Sequence, residues 1–131
     1  MSLTHINPAG LHTNPAFSQG VRIDGGGSLL IVGGQDGVDA KGAIVSDDPG
    51  EQSAQALRNV LTVLEAAGAS QADVAKLTIY LQADVDLAAA YGAAAAVWGP
   101  HPTAVTVVRV AALGRPECLV EVEALAQLPA G

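Results

Sequence analysis

Aromatic residues are nearly missing from this chain: one Phe, one Trp and two Tyr in 131 residues. The core must therefore be built from Ala, Val, Leu and Ile, and with 50% of residues apolar there are enough of them to exclude a disordered chain. Basic residues are also scarce. Six Lys and Arg stand against 13 Asp and Glu, giving a formal net charge of -7, and they are scattered from Arg22 to Arg115. No patch could neutralise a phosphate backbone, so no nucleic-acid partner is expected. Cys118 is the only cysteine, which excludes an intrachain disulfide and a multi-thiolate metal site and fits a reducing compartment. His5, His12 and His101 lie in irregular segments without helical spacing to another ligand type, so neither a metal nor another cofactor is expected. No apolar run reaches the roughly 20 residues of a membrane helix. The first ten residues, MSLTHINPAG, lack the basic start and apolar centre of an export signal, so the expected location is the cytoplasm, away from membranes.

What is present reads as one domain over residues 1–131, opened by an irregular lead-in at 1–16 that contains Pro8 and Pro15. FSQGVRI, Phe17 to Ile23, is compatible with a strand. Asp24-Gly25-Gly26-Gly27 then reads as a turn into the continuous apolar run Ser28 to Val32, and the two strands suggest a hairpin. The glycines are not a phosphate loop, because no Lys-Ser or Lys-Thr follows and the segment opens onto a strand. Gly33 and Gly34, at a strand end, predict a bulge or a close backbone approach. After a polar loop, Asp48-Pro49-Gly50-Glu51 has the form of a helix start. Leu57, Val60, Leu61 and Leu64 then recur at helical spacing, and Gly68 closes the helix. Residues Asp73 to Leu81 alternate, with Leu77, Ile79 and Leu81 opposite Lys76, Thr78 and Tyr80. An alanine-rich helix, Leu87 to Trp98, follows an acidic cap and stops at Gly99-Pro100.

The last quarter holds two β-type runs, Ala104 to Val110 and Cys118 to Ala126, joined by a Gly-Arg-Pro turn and so read as a strand pair. In the second run Glu121 and Glu123 share one face while Cys118, Val120, Val122 and Ala124 share the other. The expected architecture is α+β: a mixed six-stranded sheet with two helices on one face. Because Ser28 to Val32 has apolar side chains on both faces, the uncovered face calls for a partner, most economically further copies of the chain.

Three features bear on chemistry. The Glu121 and Glu123 pair is either a solvated strand face or an acid–base pair, since neighbouring carboxylates push one pKa upward. Cys118, on the apolar face, reads as a core residue. Arg109 interrupts an apolar strand on the face of Val105 and Val107, and is either an edge residue or an anion-binding group.

The succession FSQGV, LLIVGGQ, NVLTVLEAAGAS, DVAKLTIYL, DLAAAY and VEVEALA resembles the Rid family of imine and enamine deaminases, also known as YjgF or endoribonuclease L-PSP proteins, over nearly the whole chain. The resemblance implies a chorismate-mutase-like fold, a homotrimer whose sheets form a central barrel, and small-molecule ligands in clefts between subunits. In such proteins an arginine clamps the substrate carboxylate while water hydrolyses the imine. Matching back from Val110 to Leu113 puts that arginine at Val105, and matching back from Glu121 puts it at Thr106. The resemblance also places the family's pocket tyrosine at Phe17, its serine at Gly33, its asparagine at Tyr91 and its acid at Glu121. The implied pocket is Phe17, Gly33, Gly34, Gln35, Tyr91, Val105, Thr106, Val107 and Arg109, with Glu121 as the catalytic candidate. Loss of a charge-assisted pair costs on the order of 2 to 5 kcal/mol, which argues against efficient imino-acid hydrolysis. Two functions stay open: a ligand-binding protein with a degenerate pocket, and a deaminase of a non-standard imine or enamine with Glu121 orienting water.

Overall fold

The computed structural model describes residues 3–25 and 27–128. Its elements run β1 (Leu3–Ile6), β2 (Gly20–Ile23), β3 (Leu29–Asp36), α1 (Pro49–Ala66), a 3₁₀ turn over Gln71–Asp73, β4 (Val74–Gln82), α2 (Leu87–Trp98), β5 (Ala104–Val110) and β6 (Val120–Gln127). The chain is α+β, as the alternation of periods predicts. A four-stranded mixed sheet has the order β3-β6-β4-β5, with β4 and β5 parallel and the other pairs antiparallel. The six strands are thus divided four and two, because β1 and β2 pair only with each other. This small ladder is tied to the main sheet where the Ser18 N–H donates to the Thr103 carbonyl at 2.8 Å.

Two pairings differ from expectation. The strand at β2 does not fold back on β3; it pairs with β1, from Leu3↔Ile23 to Ile6↔Gly20, inside the lead-in read as irregular. Four residues of LTHI are too short to show a period; the pairing is an antiparallel backbone ladder, with Thr4 Oγ1 donating across it to Asp24 at 3.1 Å. Likewise β5 and β6 are neighbours in sequence but not in the sheet, because β4 lies between them. A parallel β4–β5 pair needs a crossover long enough to reverse the chain, and α2 supplies it.

Local chemistry explains both helices. Asp48 accepts from the Glu51 N–H at 2.8 Å with Pro49 in the first turn, and Asp86 accepts from the Ala88 N–H at 3.0 Å. Gly99 ends α2 with φ +76, a conformation that favours glycine. Leu57, Val60 and Leu64 of α1 and Ala90 and Trp98 of α2 bury against Val32, Leu77, Leu81, Val120, Val122 and Ala124. Both helices therefore lie on one face. Cys118, just ahead of β6, is buried, as its reading as a core residue expects. The opposite, open face carries Lys76, Thr78, Tyr80, Thr106, Glu121 and Glu123, with Leu29 and Ile31 left 57% and 69% exposed beside them.

Gln52 ties the two ends of the fold together. Fully buried, it donates to the carbonyls of Ser46 (2.9 Å) and Glu117 (3.1 Å) and accepts from the Leu119 N–H (2.8 Å). Gly37 allows α1 to come this close, since a Cβ there would lie 2.6 Å from the Gln52 Cα.

Candidate functional site

The predicted site residues fall into two groups at opposite edges and on opposite faces of the main sheet. The first group is at the β3 edge. Register slips between Val32 and Gln35, so Gly33 and Gly34 form the bulge expected of them. The Glu121 side chain lies over it: a Cβ on Gly34 would stand 2.3 Å from Glu121 Oε2, which explains glycine at that position. The Gln35 Nε2 donates to the Gly33 carbonyl at 3.0 Å and braces the bulge.

Asp36, assigned to the following loop on sequence, is the last residue of β3 and the direct cross-strand partner of Glu121. The Glu121 carboxyl is raised above its ordinary value by burial, then by the Asp36 carboxyl beside it, and then by the charge of Glu123. Glu123, two residues on, accepts from the Tyr80 hydroxyl at 2.6 Å, which raises the Tyr80 pKa. Burial, followed by the charge of Asp36 and a hydrogen bond to it, pushes the Cys118 thiol up to about 11, so a neutral buried thiol is what the site contains.

The second group lies at the β5 edge, on the helix face. Phe17, Tyr91, Val105 and Val107 line one cavity of about 290 Å³, closed at the back by Ile79 and Trp98. The Trp98 indole N–H is spent on the His101 carbonyl at 2.9 Å, and the Thr103 hydroxyl on the Val74 carbonyl at 2.7 Å. Tyr91 and His101 are the remaining polar side chains of the lining, and no Asp, Glu, Lys or Arg belongs to it. The cavity opens to solvent past Val107 and Tyr91, which are 46% and 57% exposed.

The two cations nearest these strands go elsewhere. Arg109 shares the face of Val105 and Val107 but donates to the carbonyls of Ala83 (3.1 Å) and Val85 (2.8 Å), bracing the connection from β4 to α2. It is an exposed residue of the β5 edge, as one of its two sequence readings has it, and is not part of the cavity lining. Lys76 projects from the open face and donates to the Thr106 hydroxyl. Thr106 is thus separated from Val105 by the thickness of the sheet, and the two candidate positions for an arginine lie in different environments.

Three residues of these sites carried no readable sign in the sequence. Asp36 becomes a neighbour of Glu121 only through the β3–β6 register, and Trp98 and His101 reach the cavity only through the turn that follows α2.

Comparison with known proteins matches this arrangement to one group. The family model described as Endoribonuclease L-PSP covers residues 9–128. The chain belongs to the endoribonuclease L-PSP, or Rid/YjgF, family. RutC family protein PH0854 of Pyrococcus horikoshii is 37% identical over 111 residues, covering 84% of this chain and 85% of that protein. The 2-iminobutanoate/2-iminopropanoate deaminase of Salmonella typhimurium is 34% identical over 113 residues, covering 84% and 85%. Among solved structures, the Rid family protein YyfB of Yersinia pestis superposes with a TM-score of 0.86 at 35% identity, covering 98% of this chain and 100% of that one. The YjgF gene product of E. coli gives 0.70 at 31% identity, covering 86% and 91%. These Rid relatives confirm the fold. Among the described residues, no helix is long and apolar enough to cross a membrane.

Proposed function

We propose that this Rid protein is a homotrimer that binds a small uncharged carbonyl or imine compound in a cleft between subunits, and that it hydrolyses 2-imino acids poorly. The observation that carries this reading is the apolar lining of the β5-edge cavity, where Val105 stands beside Phe17 and Tyr91 with no Lys or Arg. A carboxylate placed there would lose its hydration without gaining a charged partner. The meeting of Phe17, Tyr91 and Val105 in one cavity also supports Val105, rather than Thr106, as the position where the family's arginine would stand.

The separation of the two groups supports the trimer. Glu121 and Val105 lie on opposite faces, and at about 4.8 Å per strand step their strands are about 10 Å apart. One small molecule cannot touch both within one chain. β3 and β5 are the two edges of the sheet, each with exposed apolar residues: Leu29 and Ile31 at one, Val107 and Val108 at the other. In a closed ring the β3 edge of one copy meets the β5 edge of the next, bringing a bulge with its carboxyl against a cavity.

The decisive assay mixes purified protein with 2-aminoacrylate generated by a dehydratase and follows ammonia. Release at the uncatalysed rate is expected. Release well above it, abolished by Glu121→Gln, establishes instead the second reading, a deaminase in which Glu121 orients the attacking water. That reading is favoured by one observation, the raised pKa of Glu121 over the bulge, which suits a proton-transfer group. Sedimentation equilibrium tests the trimer against a chain mass of 13.1 kDa.

A further inference from the structure

We propose that Asp36 is a positioning residue for Glu121: across the bulge the two carboxyl groups hold one proton between them, on Glu121, so that the cleft presents a hydrogen-bond donor to a neutral carbonyl oxygen or imine nitrogen. The ligand class rests on the function proposed above; the proton-sharing pair does not.

The geometry comes first. Asp36 and Glu121 are direct cross-strand partners at the point where β3 bulges, and Gly34 lets the Glu121 carboxyl lie flat against the backbone there. Asp36 Oδ1 is buried and has no hydrogen-bond partner among the described residues. A buried acceptor without a donor is unfavourable; the side chains set against Asp36 are the weakly donating Cys118 thiol and its cross-strand partner Glu121, which is a strong donor when protonated.

Among the described residues no Lys or Arg makes a hydrogen bond or ion pair with either carboxyl. Arg115, on the approach to β6, donates to the Gly42 carbonyl at 2.6 Å, and Lys76 of β4 donates to Thr106. The other groups facing the pair are acids or neutral donors: Glu123 of β6, occupied by Tyr80 of β4, and Cys118 and Glu117 from the turn before β6. Two carboxylates in contact without a counter-ion cannot both ionise readily. Glu121 keeps the proton because Glu123 lies beside it on the same face and its own side chain is pressed over the bulge, whereas Asp36 has the Cys118 thiol as a neighbour.

The experiment is a carboxyl-carbon NMR titration of the full-length, ligand-free protein labelled at its Glu and Asp side chains. In the parent protein Glu121 is expected to titrate above every other glutamate, and in Asp36→Asn its midpoint falls toward the others, the part set by burial and Glu123 remaining. An unchanged Glu121 midpoint in folded Asp36→Asn overturns the pair. Should Asp36→Asn fail to fold, Asp36→Ser gives the same reading of the Glu121 midpoint, and an unchanged midpoint there is equally fatal. The second arm measures binding of cyclopentanone, a neutral ketone, against pH. Affinity should fall about tenfold per pH unit above the Glu121 midpoint, and the fall should begin at lower pH in Asp36→Asn. Ketone binding that ignores both the midpoint and the substitution overturns the donor role. A shifted midpoint with no ketone binding leaves the pair standing and sinks the ligand class along with the function it rests on.

Discussion

Replacing Val105 by arginine tests the site more sharply than any deletion. If Val105 occupies the clamp position, a guanidinium there gains a bidentate contact with a ligand carboxylate, and charge-assisted hydrogen bonds of this kind are worth about 1.5–3 kcal/mol. Some of that is lost to desolvation, because the cavity wall is apolar. The loss is moderate here, since the cavity opens past Val107 and Tyr91, at 46% and 57% exposure, and a long side chain can keep its head partly wet. A net gain of about 1–2 kcal/mol, or about five- to thirtyfold in affinity for a keto acid, is the expectation. Calorimetric titration with 2-oxobutanoate measures it, and ammonia release from the matching imine shows whether binding is converted into turnover. The control is Thr106→Arg, which puts the same charge on the opposite face, next to Lys76. Val105→Arg should gain and Thr106→Arg should not. Equal gains from both, or none from a folded Val105→Arg trimer, would refute the assignment of the cavity.

Three further outcomes follow from the packing. Gly34→Ala forces the Glu121 carboxyl away from the 2.3 Å approach and, because that carboxyl is the free end of a flexible side chain, should lower stability by only about 0.5–1.5 kcal/mol in urea denaturation, with Glu121→Ala in the same background restoring part of it. Gln52→Ala leaves the Ser46 and Glu117 carbonyls and the Leu119 N–H buried without their partner, so a loss of about 2–5 kcal/mol is expected, and a loss under 1 kcal/mol would show that the hub is replaceable by water. The Cys118 thiol, held protonated up to about 11 in the folded chain against an ordinary 9.0, makes stability fall as pH rises through that window, because the unfolded chain releases the proton first. The parent protein should lose about 3 kcal/mol relative to Cys118→Ala between those limits, and parallel curves for the two would contradict the buried thiol.

How much of this was legible in the sequence depended on whether the signal was local. α2 and β5 occupy the ranges read from composition and alternation, and α1 begins at the cap formed by Asp48 and Pro49, because caps and periods are set by residues within a few positions of one another. Partners are not. β1 was hidden because four residues cannot display a period. β5 and β6 look like a hairpin in sequence, and only the crossover through α2 shows that β4 must lie between them. The candidate site residues divide in the same way. Phe17, Tyr91, Val105 and Val107 do gather, whereas Gln35 and Arg109 turn out to brace backbone carbonyls, a use of polar side chains that no spacing reveals.

The run Ser28 to Val32 links these levels. Its apolar side chains on both faces ask for two layers of cover, and the chain itself supplies one: Val32 is 1% exposed against α1, while Leu29 and Ile31 stand 57% and 69% exposed on the other side. A strand at the edge of a sheet that shows large aliphatic side chains to water invites association, and neither Pro nor Lys guards this one. The same strand carries the bulge that seats Glu121, so whatever covers Leu29 and Ile31 also encloses that carboxyl. In the proposed trimer, assembly and protonation are therefore coupled. Covering the β3 edge removes water from a carboxyl pair that has no counter-ion, which strengthens its hold on the shared proton and fixes the polarity of the cleft that forms around it.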